Sequence, residues 1–159
     1  INTRLDKMAR GDFDALLLAG VALERLDKAH LIGEYLAPEM VLPACGQGVI
    51  AIQCTQADLV LRKHLAQVNH DKTAQAIQLE RQVVANLGGH CQLPLAVYAE
   101  SCSEGYWVRA VLGYADGTGL LRESCKVSGV AHREDTLLLE EMCQSLLVRG
   151  GAEIINRYS

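Results

Sequence analysis

From residue 71 to the C-terminus the spacing of apolar positions changes twice. Ala76, Leu79, Val83 and Leu87 recur every three or four residues and stop at Gly88 and Gly89. This predicts an amphipathic helix capped by Asp71 and closed by the glycine pair, because glycine takes left-handed backbone angles without a Cβ clash. After Pro94 the strand-forming runs "LAVYAES", "YWVRAVLGY" and "LLRESCKV" alternate with the turn signals "CSEG" and "ADGTG". That pattern predicts a three-stranded antiparallel meander. In "EDTLLLEEMCQSLLVRGG" helical spacing returns with Leu138, Met142 and Leu146 inward, followed by a second Gly-Gly stop and a short helix over "AEIINRY". Such an order of elements makes a self-contained α+β unit from about residue 71 onward.

Ahead of residue 71 the pattern reads as α/β alternation. "NTRLDKMARG" predicts a helix closed by Gly11, "DALLLAG" a short buried strand, and "VALERLDKAHLI" a second helix. In "PEMVLPACGQGVIAIQC", Pro38, Pro43, Gly46 and Gly48 divide two apolar runs. "ADLVLRKHLAQV" then predicts a short amphipathic helix with Leu61, Leu65 and Val68 on one face.

Composition narrows the function classes. The 159 residues are 50% hydrophobic, 21% charged and carry a formal net charge of -4, so no overall basic field favours nucleic acid or an anionic membrane. No apolar run approaches the roughly 20 residues that span a bilayer, and no signal-peptide pattern opens the chain, which makes a cytoplasmic location the default. The cysteines at 45, 54, 91, 102, 125 and 143 are scattered, lack zinc-site spacing and read as free thiols. The five histidines make no metal-binding pattern, so no metal is expected. "GQGVIA" fits G-x-G-x-x-A formally, but strand-like residues follow it where a dinucleotide fold needs a helix.

Cys91 follows a predicted helix C-terminus, where the dipole disfavours a thiolate, and His90 beside it points to the opposite side of an extended segment. A protease-like nucleophile is therefore not expected. One attack on a strongly electrophilic small molecule, giving a stable thioether, remains compatible with this context, as does a small buried loop cysteine.

"LGGHCQLPLAVYAE" resembles the segment of the porphobilinogen deaminase (hydroxymethylbilane synthase) family that carries the cysteine bearing a dipyrromethane cofactor. "INTRLDKMARGDFDALLLAGVALERL" resembles that family's second-domain segment, "LPACGQGVIAIQC" its Pro-x-x-Gly-Gln-Gly crossing, and "NHDKTAQAIQLERQVVANLGG" the helix before the cysteine. The resemblance runs along the whole chain. It implies a transferase of tetrapyrrole and heme biosynthesis that deaminates porphobilinogen units and joins them into hydroxymethylbilane, with the dipyrromethane attached at Cys91. It also implies that residues 1–48 are part of a periplasmic-binding-protein-like α/β domain 2, that 49–70 pack on domain 1, and that 71–159 form the C-terminal α+β domain.

Pyrrole acetate and propionate groups call for fixed cations, and arginine binds carboxylates through a planar fork. By the resemblance, Arg4 and Arg25 take that role; taken alone, they read as solvated helix arginines. Gly46, Gln47 and Gly48 read as a tight turn, and the resemblance places them beside the cofactor cleft, where small residues let backbone approach. His90 stands where many members carry glycine. The family's catalytic aspartate belongs to its N-terminal domain, so no catalytic residue is expected in this chain, which begins without methionine and reads as a C-terminal portion, inactive alone and prone to self-association. The alternative is a non-catalytic α+β module of the same descent that binds an anion or a partner.

Overall fold

The computed structural model describes residues 1–90, 92–129 and 132–158. They fall into two units, residues 1–36 and 37–159.

In the first unit, α1 (Asn2–Ala9) buries Leu5 and stops at Gly11, whose φ of 81° lets its own N–H reach Met8 O at 2.9 Å and Asp12 N–H reach Lys7 O at 3.0 Å. "DALLLAG" does not become a strand. A strand needs a neighbour to satisfy its amides and carbonyls, and none of the described residues pairs with it. The run "VALERLDKAHLI" splits into α2 (Gly20–Glu24) and a 3₁₀ turn (Ala29–Leu31). The break is at Asp27, which takes a left-handed φ of 56° while Lys28 N–H returns to Leu23 O at 2.8 Å. Tyr35 donates to Glu24 Oε1 at 2.6 Å and lies against Gly20, where any Cβ would come within 2.8 Å of its ring. Lys28 Nζ donates to Asn2 Oδ1 at 2.9 Å, tying the start of α1 to the turn after α2.

The second unit holds the core. It contains α3 (Leu59–Ala66), α4 (Asp71–Asn86), β1 (Leu95–Cys102), β2 (Gly105–Leu112), β3 (Leu121–Val127), α5 (Arg133–Leu146) and α6 (Ala152–Tyr158). The strands form one antiparallel sheet in the order β1-β2-β3, with Tyr98 opposite Arg109 and Arg109 opposite Ser124. Val97, Ala99, Val108, Ala110 and Val127 point to the face covered by α4 and α5, where they meet Leu79, Val83, Leu139, Met142 and Leu146. This is the α+β unit that the change of period predicts.

Two helix details differ from expectation. His70, not Asp71, caps α4: its Nδ1 accepts from Thr73 N at 3.3 Å, and Asp71 is the first helical residue, where its charge complements the dipole. On α5 the inward stripe is Leu139, Met142, Cys143 and Leu146, while Leu138 is exposed. Asp135 sets that rotation. It is buried one turn before Leu139 and accepts from Ser128 N (3.0 Å), Ser128 Oγ (2.6 Å) and Gly129 N (3.0 Å). The second glycine stop stands where expected, with Gly150 at φ 113° and Gly151 pressed on Leu146, where a Cβ would lie 2.5 Å from the carbonyl oxygen.

Residues 37–58 contain turns and no strand. Met40 and Val41 N–H groups return to Ala37 O, Gln47 N–H to Ala44 O, and Val49 N–H to Gly46 O. Downstream, α3 starts at Asp58, which accepts from Leu61 N at 2.9 Å, but buries none of its residues; on its predicted apolar face Leu61 and Val68 are exposed and Leu65 is half-buried. No helix among the described residues is long and apolar enough to cross a membrane.

Candidate functional site

Glu80 interrupts the apolar stripe of α4 between Leu79 and Val83, yet only 3% of it is exposed. Its carboxylate accepts the N–H of Gly46 at 2.7 Å and of Ala99 at 3.0 Å, and the Cys45 thiol hydrogen-bonds to it as well. Ala99 lies on β1, an edge strand, so one side of that strand has no sheet partner and the helix supplies the missing acceptor. One buried carboxylate thereby joins three segments: the 45–46 turn, α4 and the sheet edge. Burial pushes the Glu80 carboxyl up from its ordinary 4.5 and outweighs the donors, which pull it down. The Cys45 thiol is also pushed up, by burial first and then by Glu80, so it stays protonated and is no nucleophile at neutral pH.

The turn held by Glu80 is the Gly-Gln-Gly motif. Gly46 and Gly48 have φ of 73° and 80°, the left-handed region that L side chains rarely adopt. At Gly46 a Cβ would meet nothing within 4 Å, so backbone angle rather than crowding accounts for that glycine in the described structure. Between the two, Gln47 lines a cavity of about 300 Å³ with Val49, Lys72, Tyr98, Glu100 and Tyr106. The Tyr106 hydroxyl donates towards Lys72 O and Gln75 Oε1, both at 3.1 Å, pinning the first turns of α4 to the sheet.

The other face of the sheet carries a second buried charge. Arg109 ion-pairs with Glu39 and, at 2.6 Å, with Glu100, while its guanidinium carbon lies 4.2 Å from the centre of the Trp107 ring and 5.4 Å from that of Tyr98. Its Nε is buried without a partner.

Cys91 lies outside the described residues, but its flanks are defined. Gly88 at φ 64° ends α4, Gly89 N–H returns to Val84 O at 2.8 Å, and Leu93 N–H closes on His90 O at 3.0 Å. His90 Nδ1 accepts from Gln92 N at 3.3 Å, a role glycine could not fill. Leu93 is buried with Leu112 and Ile154, which anchors the chain as it enters β1. Arg4, on α1, and Arg25, at the end of α2, are both exposed in the first unit, whereas Gly46, Gln47 and Gly48 belong to the second. Among the described residues no group of three or more His, Cys, Asp or Glu side chains is placed to hold a metal ion.

Glu80 and Arg109 were not among the expected site residues. A signal for each exists in the sequence: an acid beside Leu79 on an apolar helix stripe, and a cation inside the strand "YWVRAVL". Buried charges at such places require partners.

Comparison with known families gives two matches in chain order. Residues 1–63 match the family model described as porphobilinogen deaminase, dipyromethane cofactor binding domain, and residues 74–142 match that of the porphobilinogen deaminase C-terminal domain. The second match spans most of α4, the meander and most of α5, the elements that build the core described above. With these two consecutive domains matched over most of its length, the chain belongs to the porphobilinogen deaminase family, the hydroxymethylbilane synthase transferases that polymerise porphobilinogen with a dipyrromethane cofactor.

Proposed function

We propose that this chain holds the dipyrromethane and the growing oligopyrrole, with the cofactor joined to Cys91 as a thioether. The observation that carries this reading is the Glu80 junction: the helix that leads directly to position 91 is bonded to the Gly46 turn, so cofactor-bearing loop and Gly-Gln-Gly motif share one rigid support. Intact mass of the complete enzyme tests it. A dipyrromethane adduct should be lost in Cys91→Ser and kept in Cys102→Ser; an adduct surviving Cys91→Ser would sink the assignment, and an unmodified thiol in the folded wild type would favour a non-catalytic binding module.

The residues present suit the group chemically. Arg4 and Arg25 are exposed guanidinium groups, matched in charge and planar shape to acetate and propionate side chains, and would hold those carboxylates. Gln47 offers an amide donor and acceptor beside the turn. When bound, the dipyrromethane supplies the pyrrole carbon on which the polymer starts. Binding and orientation are the tasks left to these side chains, and orientation is a large part of the catalytic effect in a reaction that repeats on one anchored chain. Arg25→Leu should impair cofactor assembly or elongation by about one to two decades, the size expected for loss of a charge-assisted hydrogen bond. Wild-type elongation in a folded Arg25→Leu enzyme would show the arginine to be idle.

The domain reading follows the same lines. Residues 1–48 belong to a periplasmic-binding-protein-like domain 2, in which "DALLLAG" would gain strand partners; 49–70 pack on the enzyme's N-terminal domain; and 71–159 form the cofactor-bearing domain. Support comes from the exposure of Val49, Ile50, Ile52, Leu59 and Val60, large apolar side chains close in sequence that a covering domain would take out of water.

A further inference from the structure

The segment from Ala37, the first residue of the second unit, to Gly48 is a strap fastened at two points. At its far end Glu80 takes the Gly46 amide from within the core. Near its start, Pro38 opens a single helical turn closed by Met40 and Val41 N–H onto Ala37 O, and that turn presents Glu39 to Arg109. The two fastenings differ in kind. Glu80 is buried and holds backbone, whereas the Glu39 side chain is 63% exposed and grips an arginine whose own side chain is 8% exposed.

We propose that Arg109 is a positioning residue for the polymerisation: through Glu39 it fastens the strap and so sets the place of the Gly46-Gln47-Gly48 turn. Seventy residues separate the partners, so the bond fixes a tertiary position instead of a local turn. Everything around Arg109 serves to hold the guanidinium still. Glu100 takes its other nitrogen, Trp107 from the same strand and Tyr98 from the paired strand flank it, and the plane presented to Glu39 is thereby set before the strap arrives. Glu100 and the two rings, all on the arginine's own sheet face, engage one terminal nitrogen and the guanidinium plane and leave the other terminal nitrogen to Glu39. The bond to Glu39 is the one that reaches outside the sheet.

This inference rests on the reading that the Gly-Gln-Gly turn faces the cofactor, and the test separates the two. In the complete enzyme, Glu39→Ala and Glu100→Ala each remove one carboxylate from Arg109, but only the first releases the strap. Hydrogen exchange of the 37–48 amides is expected to speed up at least about tenfold in Glu39→Ala and to stay within about twofold of wild type in Glu100→Ala, with β1–β3 protected in both. Cofactor loading, read by intact mass, should be unchanged in Glu39→Ala while elongation slows several-fold. Unchanged exchange in Glu39→Ala, or equal acceleration in both variants, would overturn the fastening. Faster strap exchange with wild-type elongation would overturn the positioning role, leaving Cys91 attachment untouched.

Discussion

Two carboxylates that fasten the 37–48 strap, Glu80 buried and Glu39 exposed, respond to pH with opposite sign. For Glu80 burial dominates and raises its pKa in the folded chain above 4.5. The unfolded carboxyl ionises first, so the contribution of Glu80 to stability is complete below about pH 4.5 and is lost as pH rises through the raised value. Glu39 behaves the other way: its own backbone amide and then Arg109 lower its pKa, so what it contributes is present above the ordinary range and is lost as pH falls through the lowered value. Urea unfolding across pH 4 to 8 checks the first sign: Glu80→Gln should flatten the decline of stability with rising pH, and identical slopes in both proteins would refute it. Glu80→Ala should cost about 2–4 kcal/mol near pH 4, because it takes the acceptor from the buried Ala99 amide and the half-buried Gly46 amide. These partners explain why part of the site was hidden in the sequence. Cys91, Arg4, Arg25 and the Gly-Gln-Gly motif were singled out because their types and neighbours match a family pattern. Glu80 and Arg109 act through groups 34 and 70 residues away, and no local pattern reveals such a bond.

Periodicity served best for elements that bring their own partners. The meander was legible because its strands follow one another through short turns, and each supplies the next with a ladder. At Gly105 the turn is also sterically fixed: φ is 125° and a Cβ would lie 2.2 Å from Val127 O, so Gly105→Ala should lower stability by at least about 1–3 kcal/mol in thermal or urea unfolding. On α5, spacing alone placed Met142 and Leu146 correctly and missed only the first member of the stripe, since Leu137, Leu138 and Leu139 are consecutive and the choice among them belongs to Asp135 and its bonds to Ser128 and Gly129. Leu139→Ala is therefore expected to cost about 2–5 kcal/mol and Leu138→Ala less than about 1 kcal/mol, measured by chemical denaturation. A reversed order would return the stripe to Leu138. The run "DALLLAG" marks the opposite case, in which apolar character is plain but strand formation depends on neighbours that the described residues do not provide.

At the scale of the whole molecule, apolar burial is unevenly distributed among the described residues. The core made by α4, the sheet, α5 and α6 contains nearly all the fully buried side chains, while residues 1–70 bury only Leu5 and Leu23 among their large apolar groups. Since apolar burial is the main favourable term in folding, at about 25 cal/mol per Å², segments with little of it open locally at small free-energy cost. Amide exchange should accordingly be slow across 71–158 and faster across 1–70 in the 159-residue chain, and equal protection in a monomer would contradict the packing argument. The same uneven burial leaves Ile50, Ile52, Leu59 and Val60 exposed, and an apolar surface of that kind lowers its free energy by association. Sedimentation of the 159-residue chain is expected to show concentration-dependent self-association that weakens in Ile52→Glu/Val60→Glu. Both positions lie outside the core, so the unfolding transition of the sheet domain should not move. A monomeric wild-type chain, or association indifferent to the two charges, would mean that these side chains are not the adhesive face; loss of the sheet transition would mean that residues 49–70 support the core after all.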